Sequence, residues 1–442
     1  MYIRKKYEYF AIWKGIYEMI SNQRILRTVV ALILALTTLF SMSSCLFFDF
    51  GIYEDLYDKY QENQNNQNQN PGENNNNNNN NDNNNSNENN NSNTNIPEFY
   101  PGSGNGNAEN VPALQQTLLS TVMIVSEFGM SAGAGSGIIY RIDKDKGDAY
   151  IITNQHVVTD GKTVSNNIKV YLFGMVLETY AINATYIGGT TAYDIAVIKI
   201  EGSEILKNSY AKAADLGKSA NVRVFDTVYA VGNPEASGFS ATQSIISVRS
   251  ENLELEGADG ELVTLRVMRV DAAVNHGNSG GGLYDAQGKL IGIVCAKIQG
   301  SDVDNMGYAI PIDLVKNLAD NILYHCDGVN MTKLNRALLG ITISAKVIGP
   351  VIDENGTLLE GARVQVMEVS RTSLAYGKVQ IDDIVNSITV DGVTVIATEV
   401  YVIPEHMLTA RVGSVIVMNV TRGSETFDIT FTITEDAITL ER

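Results

Sequence analysis

A serine in a glycine-rich turn is the first feature of this sequence that indicates chemistry. Ser279 lies between two apolar, β-prone runs at residues 262–274 and 283–296. Glycine lets such a turn close tightly and directs successive N–H groups into one small space beside the hydroxyl. Acyl transfer needs such donors for its developing oxyanion, and the N–H groups of Gly277 and Ser279 are the predicted ones. Considered alone, the segment also fits a plain glycine-rich hairpin.

Two further residues at strand edges favour the catalytic interpretation. His156 follows an apolar run at residues 150–153, and Asp194 opens an alternating β-prone run at residues 195–200. The order His, Asp, Ser is that of the chymotrypsin-like triad. In this interpretation His156 takes the proton of Ser279 and returns it to the leaving amine. Asp194 fixes the imidazole tautomer and stabilises the imidazolium.

The remaining histidines and one nearby carboxylate are assigned no part in the chemistry. His276 is three positions from Ser279 in a tight turn, where a base would be badly placed, so we interpret it as a loop residue. His325 and His406 are interpreted as surface or packing residues. Asp271 is interpreted as a support for the loop that leads to the serine.

Six segments together resemble the HtrA/DegP (Deg) family of trypsin-like serine proteases. They are residues 133–139, 153–158, 193–200, 231–234, 271–283 and 307–311. The resemblance extends from about residue 111 to the C-terminus. It implies two six-stranded Greek-key β-barrels with the triad in the cleft, followed by a PDZ domain. It also implies ATP-independent cleavage of misfolded or signalling envelope proteins by a homotrimer, without a cofactor or a metal.

The sequence departs from the family pattern at a few positions. His276 and Gly282 stand where the family usually has Pro, Gln155 where Asn is common, and Gln243-Ser244 where Ser-Gly is usual. None of these changes touches the predicted triad. His276 and Gln243-Ser244 fall in loops that form or regulate the oxyanion hole in the family, so a difference in activation is a further expectation.

The pattern of short strands punctuated by glycine independently predicts an all-β protein. We expect a protease domain at residues 111–328, with its first barrel at about 117–200 and its second at about 222–310. A closing helix is predicted at residues 313–325, and a PDZ domain at residues 329–442.

The PDZ prediction rests on residues 336–343, which resemble a carboxylate-binding loop and the strand after it. Leu339, Gly340 and Ile341 would present N–H groups to the C-terminus of a peptide, whose backbone would pair with the strand edge. Asp382 replaces a usual Gly, and an insert at residues 349–357 lengthens an early loop. A generic β-rich accessory domain is the alternative.

The first 48 residues are predicted to be a targeting segment. Arg24 and Arg27 precede an apolar run at residues 29–40, and small residues stand before Cys45. This pattern indicates a lipoprotein signal with Cys45 as the lipidated residue. An uncleaved anchor at residues 28–48 and a secreted soluble form are the alternatives. All three place the protein outside the cytoplasm.

An Asn-rich tract at residues 49–110 follows, and its apolar content is too low to offset the entropy of ordering. We therefore expect a disordered linker that tethers the enzyme to the membrane. The formal net charge of −18 argues against a nucleic-acid-binding surface. Besides Cys45, the sequence has Cys295, interpreted as a core residue, and Cys326. A disulfide between these two stays open, and no metal-ligand spacing occurs.

These observations predict an envelope-anchored serine endopeptidase that acts on misfolded or regulatory proteins and recognises peptides through a PDZ domain. Two alternatives remain. The first is a catalytically minor, PDZ-driven chaperone or scaffold, against which the intact triad argues. The second is a narrow signalling protease with a single substrate, which one PDZ domain and an anchor would suit.

Overall fold

The structure is a computed structural model. It describes residues 111–129, 131–161, 163–233, 238–256, 262–272, 277–296, 306–326, 334–352, 356 and 358–440. All of them belong to the second of the chain's two units, Tyr57–Arg442. The predicted targeting segment with Cys45, the Asn-rich tract and His276 lie outside the described residues. Among the helices of the described ranges, none is long and apolar enough to cross a membrane.

Six antiparallel strands close a first barrel, in the order β1-β2-β3-β6-β5-β4. They are β1 (Thr121–Phe128), β2 (Ser131–Asp143), β3 (Asp148–Thr153), β4 (Asn167–Tyr171), β5 (Ile182–Thr190) and β6 (Ile195–Ile200). Helix α1 (Ala113–Ser120) precedes the barrel, α2 (Gln155–Val158) follows β3, and α3 (Glu204–Lys207) follows β6. β-Branched residues fill the interior, and Ile124, Ile151 and Ile198 are completely buried. Each such side chain contributes about 1.5–3 kcal/mol by leaving water.

A second barrel repeats this topology, because its strands run in the order β7-β8-β9-β12-β11-β10 around the closed sheet. They are β7 (Thr227–Gly232), β8 (Ser240–Glu256), β9 (Leu262–Val270), β10 (Gly282–Asp285), β11 (Leu290–Ala296) and β12 (Gly307–Pro311). In both barrels the third strand pairs with the sixth, which is the crossover of a Greek key.

The predicted pair of six-stranded barrels is confirmed, with small differences at the boundaries. The first barrel begins at Thr121 rather than near residue 117, because residues 113–120 form α1. The second begins at Thr227 rather than near residue 222. The closing helix, α4 (Ile312–His325), begins one residue before its predicted start at 313.

The described residues from 334 to 440, here called the C-terminal unit, form a further β-rich structure with its own hydrophobic core. Its strands are β13 (Asn335–Ala337), β14 (Ile341–Ile352), β15 (Leu358–Val369), β16 (Ile384–Val390), β17 (Val393–Ile396), β18 (Val415–Arg422), β19 (Glu425–Thr432) and β20 (Ile438–Leu440); α5 (Val402–Met407) follows β17. The main sheet has the order β14-β15-β16-β18-β19, β17 pairs with β16, and β13 pairs with β20. Of the insert at residues 349–357, residues 349–352 belong to β14 and pair with the start of β15.

Helix α4 joins the barrels to the C-terminal unit. One face of it is buried in the core shared by both barrels, through Leu314, Val315, Leu318 and Ile322. On α4, the completely buried Asn321 donates from Nδ2 to the carbonyl oxygens of Asn335 and Leu408, both at 2.8 Å. Its Oδ1 accepts the N–H of Asn335 at 3.1 Å. One side chain therefore connects α4 to two segments of the C-terminal unit.

Asn321→Ala should destabilise this junction strongly. The change removes three hydrogen bonds of a buried side chain and leaves backbone groups to be satisfied elsewhere, so we expect a loss of about 2–4 kcal/mol in the free energy of unfolding. Lys316→Ala is the control on the same helix, since it removes only an exposed ion pair with Asp320 at 2.7 Å and should cost less than about 0.5 kcal/mol. Urea unfolding measures both variants, and equal losses would contradict the assignment.

Candidate active site

Two strands of the first barrel bring His156 and Asp194 together. Strands β3 and β6 are antiparallel and pair Thr153 with Ala196, so the end of β3 meets the start of β6. His156 lies on α2, one turn beyond β3. The next two residues of α2 are buried in the barrel core, which leaves the imidazole at the surface with 38% of its side chain exposed.

The carboxylate of Asp194 contacts His156 at two places. Its Oδ2 lies 2.8 Å and its Oδ1 3.0 Å from Nδ1 of the ring. Oδ1 also accepts the backbone N–H of His156 at 3.1 Å. A carboxylate can only accept, so Nδ1 carries the proton and Nε2 of the neutral ring has a free lone pair. The pair therefore presents a base oriented by a carboxylate.

Two opposing effects act on the pKa of His156. Desolvation by the surrounding protein disfavours the imidazolium and lowers the pKa, although part of the ring remains exposed. The charge of Asp194 and its hydrogen bond raise the pKa, and together they outweigh desolvation. The net pKa of His156 therefore lies above its ordinary value of 6.5.

The Ser279 turn belongs to the second barrel and is bound to the first. The N–H of Ser136, on β2, donates to the carbonyl oxygen of Ser279 at 2.8 Å. The Ser136 hydroxyl donates to the carbonyl oxygen of Gly277 at 2.7 Å and accepts the N–H of Asn233 at 2.9 Å. The N–H of Gly280 donates to the carbonyl oxygen of Val294 at 2.8 Å, which fixes the turn within its own barrel.

Gly280 shows how closely the two barrels approach at this turn. Its φ of +83° lies in the left-handed region that glycine favours. A Cβ at this position would come within 2.1 Å of the Ser136 carbonyl oxygen and 2.4 Å of Thr153 Oγ1. Thr153 is three residues before His156, so the serine turn packs against the strand that leads to the histidine.

The hydroxyl of Ser279 contacts its own barrel in this structure. Its Oγ donates to the carbonyl oxygen of Cys295 at 3.4 Å, and within the described residues it makes no hydrogen bond to the imidazole. A contact of this length is weak, so breaking it by rotation about χ1 toward Nε2 costs little free energy.

The predicted oxyanion donors lie on the same turn. Gly277 has a φ of +92°, and no residue in the described part of the chain accepts the N–H of Gly277 or Ser279. Asp271, predicted to support the loop, accepts the Ser244 hydroxyl at 2.6 Å and the N–H of Ile245 at 2.9 Å. The Ser244 hydrogen bond and the Ile245 N–H lower the pKa of Asp271.

The other sequence candidates have local roles. His406 is buried, and its Nε2 contacts the carbonyl oxygen of Val393 at 2.9 Å. His325 packs edge-on against the ring of Tyr324. Cys295 and Cys326 are not joined, so the disulfide left open by the sequence does not form. Across the described ranges, His, Cys, Asp and Glu side chains form no group of three that could hold a metal ion.

Comparison with known proteins identifies the same region. Residues 135–293 match the trypsin-like peptidase domain family. The chain is 33% identical over 292 residues to serine protease Do-like HtrB of Bacillus subtilis (strain 168), covering 61% of this chain and 59% of the relative. It is also 33% identical over 229 residues to serine protease Do-like HtrA of that strain, covering 51% and 46% respectively. The chain thus spans only about half to three-fifths of these relatives.

A solved structure agrees with these relatives. The structure described as HtrA-type protease AlgW with tripeptide superposes with a TM-score of 0.50 at 26% identity, covering 75% of this chain and 97% of that one. The matched family segment contains His156, Asp194 and Ser279. In its sequence and its fold, the chain is similar to the HtrA-type serine proteases.

Proposed function

We propose that the chain is an envelope-anchored endopeptidase that cleaves unfolded or regulatory proteins with His156, Asp194 and Ser279 as its catalytic triad. The observation that carries this proposal is the double contact of Asp194 with His156, on the strand end against which the Ser279 turn packs. A carboxylate, an oriented imidazole and a hydroxyl on a glycine-rich turn are the parts that acyl transfer requires.

In the proposed mechanism, Ser279 Oγ first rotates from Cys295 toward His156. Nε2 of His156 takes the hydroxyl proton while Oγ attacks the carbonyl carbon of the scissile peptide bond. The N–H groups of Gly277 and Ser279 stabilise the resulting oxyanion. His156 then gives the proton to the leaving amine, and water attacks the acyl-enzyme by the same route in reverse. No step needs a cofactor.

The weak contact of Ser279 with Cys295 supports a resting state of low activity. His276 stands where the family usually has Pro, and a residue other than Pro leaves one more backbone angle free in the turn. We therefore propose that substrate or a bound peptide shifts the turn toward the attacking arrangement. His276→Pro should raise basal activity if loop freedom limits the resting enzyme.

We further propose that the C-terminal unit is a PDZ domain that binds peptide C-termini. Strand β14 lies at the end of its sheet, so one edge is open to a ligand strand. No described residue accepts the N–H of Leu339 or Gly340, whereas their carbonyl oxygens accept from Ala375 and Ser370. The side chain of Leu339 is buried beneath the loop. This arrangement suits capture of a carboxylate, and the tripeptide with the similar HtrA-type protease AlgW fits such a role.

Membrane attachment and trimer formation remain proposals that rest on the sequence pattern before Cys45 and on the family. A catalytically minor chaperone or scaffold is the second candidate, and in its favour Ser279 Oγ is hydrogen-bonded to Cys295 and not to His156 among the described residues. Mapped digestion of unfolded casein would separate a broad protease from a narrow one.

Ser279→Ala should abolish proteolysis without disturbing the fold. We expect casein hydrolysis to fall by on the order of 10⁴-fold or more, as for loss of a triad nucleophile. The melting temperature should hardly change, because Oγ makes only a 3.4 Å contact. Labelling with a sulfonyl fluoride should modify the natural chain and not the variant. Casein cleavage at the natural rate by the folded variant would exclude the proposed nucleophile.

The pH dependence of activity should follow His156. Only the neutral ring accepts a proton, so kcat/KM should rise with pH through a midpoint above 6.5, in the direction that Asp194 shifts the pKa. Asp194→Asn removes both effects that raise this pKa, so the midpoint should move to lower pH while the rate falls by on the order of 10⁴-fold. His276→Ala should keep the natural midpoint. If His276→Ala abolished this rise of kcat/KM with pH, His156 would not be the base.

Amidation of a peptide C-terminus should weaken its binding to the Ser279→Ala protein. The free carboxylate would accept the loop N–H groups, and the amide would lose that charge-assisted contact. Gly340→Val should weaken binding as well, because a Cβ there would come within 2.1 Å of Ser373 Cβ and the φ of +75° disfavours other residues. Fluorescence titration with apolar-ended peptides, free and amidated, measures both effects. Equal affinity for the two forms would mean that this unit does not read C-termini.

A further inference from the structure

Asp194 adopts a backbone conformation that few residues other than glycine adopt. Its φ is +49°, one of four positive values at non-glycine residues in the described ranges. Aspartate tolerates this left-handed region better than most residues, but it still needs support from its surroundings. Because the side chain of Asp194 orients His156, whatever supports this backbone also affects the proposed base.

Asn154 supplies part of that support. It follows β3 directly, is completely buried, and donates from Nδ2 to the carbonyl oxygen of Asp194 at 2.9 Å. The N–H of Asp194 donates to the carbonyl oxygen of Thr191 at 3.2 Å. The peptide groups on both sides of the Asp194 Cα are therefore held, one of them by a side chain two residues before His156.

The geometry of the His156 contact makes this support consequential. A single carboxylate oxygen, Oδ1 of Asp194, lies 3.1 Å from the backbone nitrogen of His156 and 3.0 Å from Nδ1. Rotation of the Asp194 backbone toward an ordinary conformation would carry this oxygen away from both nitrogens at once.

The amide oxygen of the Asn154 side chain lowers the stability of the fold, so stability does not explain an Asn at this position. Its Oδ1 is buried and has no hydrogen-bond partner among the described residues. A half-satisfied buried amide is less favourable than an apolar side chain of similar size. The donor function of Nδ2 toward Asp194 accounts for an amide at this position.

We propose that Asn154 is a positioning residue, which holds the Asp194 backbone in its left-handed conformation and thereby orients His156. This inference rests on the proposed triad. It assigns Asn154 no contact with substrate. Asp194 is the charged group that acts on the imidazole within the described part of the chain, so the protonation of His156 reports directly on its position.

The test is a titration of His156 by nuclear magnetic resonance in full-length Ser279→Ala protein, which needs no activity. The imidazole signal is assigned by its loss in His156→Ala. Asn154→Leu removes the donor at similar volume, so the pKa of His156 should fall toward its value in Asp194→Asn. In the double variant Asn154→Leu/Asp194→Asn it should fall no further than in Asp194→Asn alone, because Asn154 acts through Asp194.

Tyr186→Phe is the matched control. Tyr186 Oη donates to Gln155 Oε1 at 3.1 Å, at the start of the same short helix α2, and this bond does not touch Asp194. The control should leave the titration of His156 unchanged. In the chain that retains Ser279, Asn154→Leu should lower kcat by about 10–100-fold with little change in KM, as for loss of a group that orients a functional residue. Tyr186→Phe should leave both unchanged.

Three results would overturn the proposal. The first is a folded Asn154→Leu protein in which His156 titrates as in the parent. The second is an equal shift in Tyr186→Phe, which would indicate a general disturbance of the helix. The third is loss of folding in both Asn154→Leu and the smaller Asn154→Ser, which would indicate a structural role. Failure of the natural chain to cleave any protein would instead count against the proposed function and leave this titration interpretable.

Discussion

The contacts of Ser136 with the Ser279 turn determine whether the candidate site exists, because its parts lie on different barrels. The base and the carboxylate belong to the first barrel, and the serine belongs to the second. Ser136 contributes its N–H and its hydroxyl to carbonyl oxygens on the turn, at 2.8 and 2.7 Å, and receives the N–H of Asn233 at 2.9 Å. Since Ser136 is completely buried, these bonds are shielded from water and set the relative position of the two barrels locally.

Much of the fold follows from local sequence patterns. Short β-prone runs separated by glycine predict strands. The order of His156, Asp194 and Ser279, each at the edge of such a run, predicts that these three edges meet at one site. The structure brings His156 and Asp194 into contact because Thr153 pairs with Ala196. The missed boundary at the first barrel has a simple cause. Residues 113–120 are mostly good helix formers that follow a proline, and they form α1 rather than a strand.

The supporting polar contacts could not be predicted in the same way. Ser136 lies in a segment that resembles the family, and Asn154 is two residues before His156, yet neither received a role from the sequence. Ser136 and Gly277 are 141 positions apart, and Asn154 and Asp194 are 40 apart. Such pairs are created by the closure and docking of the barrels. The direction of the Ser279 hydroxyl also depends on the side-chain torsion χ1, which the sequence does not indicate.

The C-terminal unit is attached by charges as well as by α4. On the second barrel, Arg266 of β9 forms a bidentate contact with Glu405 of α5, and its guanidinium lies 4.0 Å from the centre of the Tyr401 ring. Arg249 of β8 pairs with Glu399 beside them. Burial raises the pKa of Tyr401 to about 12, so its phenol remains neutral and able to donate.

Partly buried ion pairs of this kind add little net stability, because desolvation offsets most of the attraction, but they are costly to break on one side. They therefore favour one orientation of α5 on the β8–β9 hairpin over its alternatives. Strand β9 ends at Val270, directly before Asp271, whose carboxylate is bound to β8 through Ser244 and Ile245. The strand that contacts the C-terminal unit is thus the one that leads to the serine turn. The contacts that orient the C-terminal unit and the contacts that join the two barrels consequently involve the same short stretch of chain.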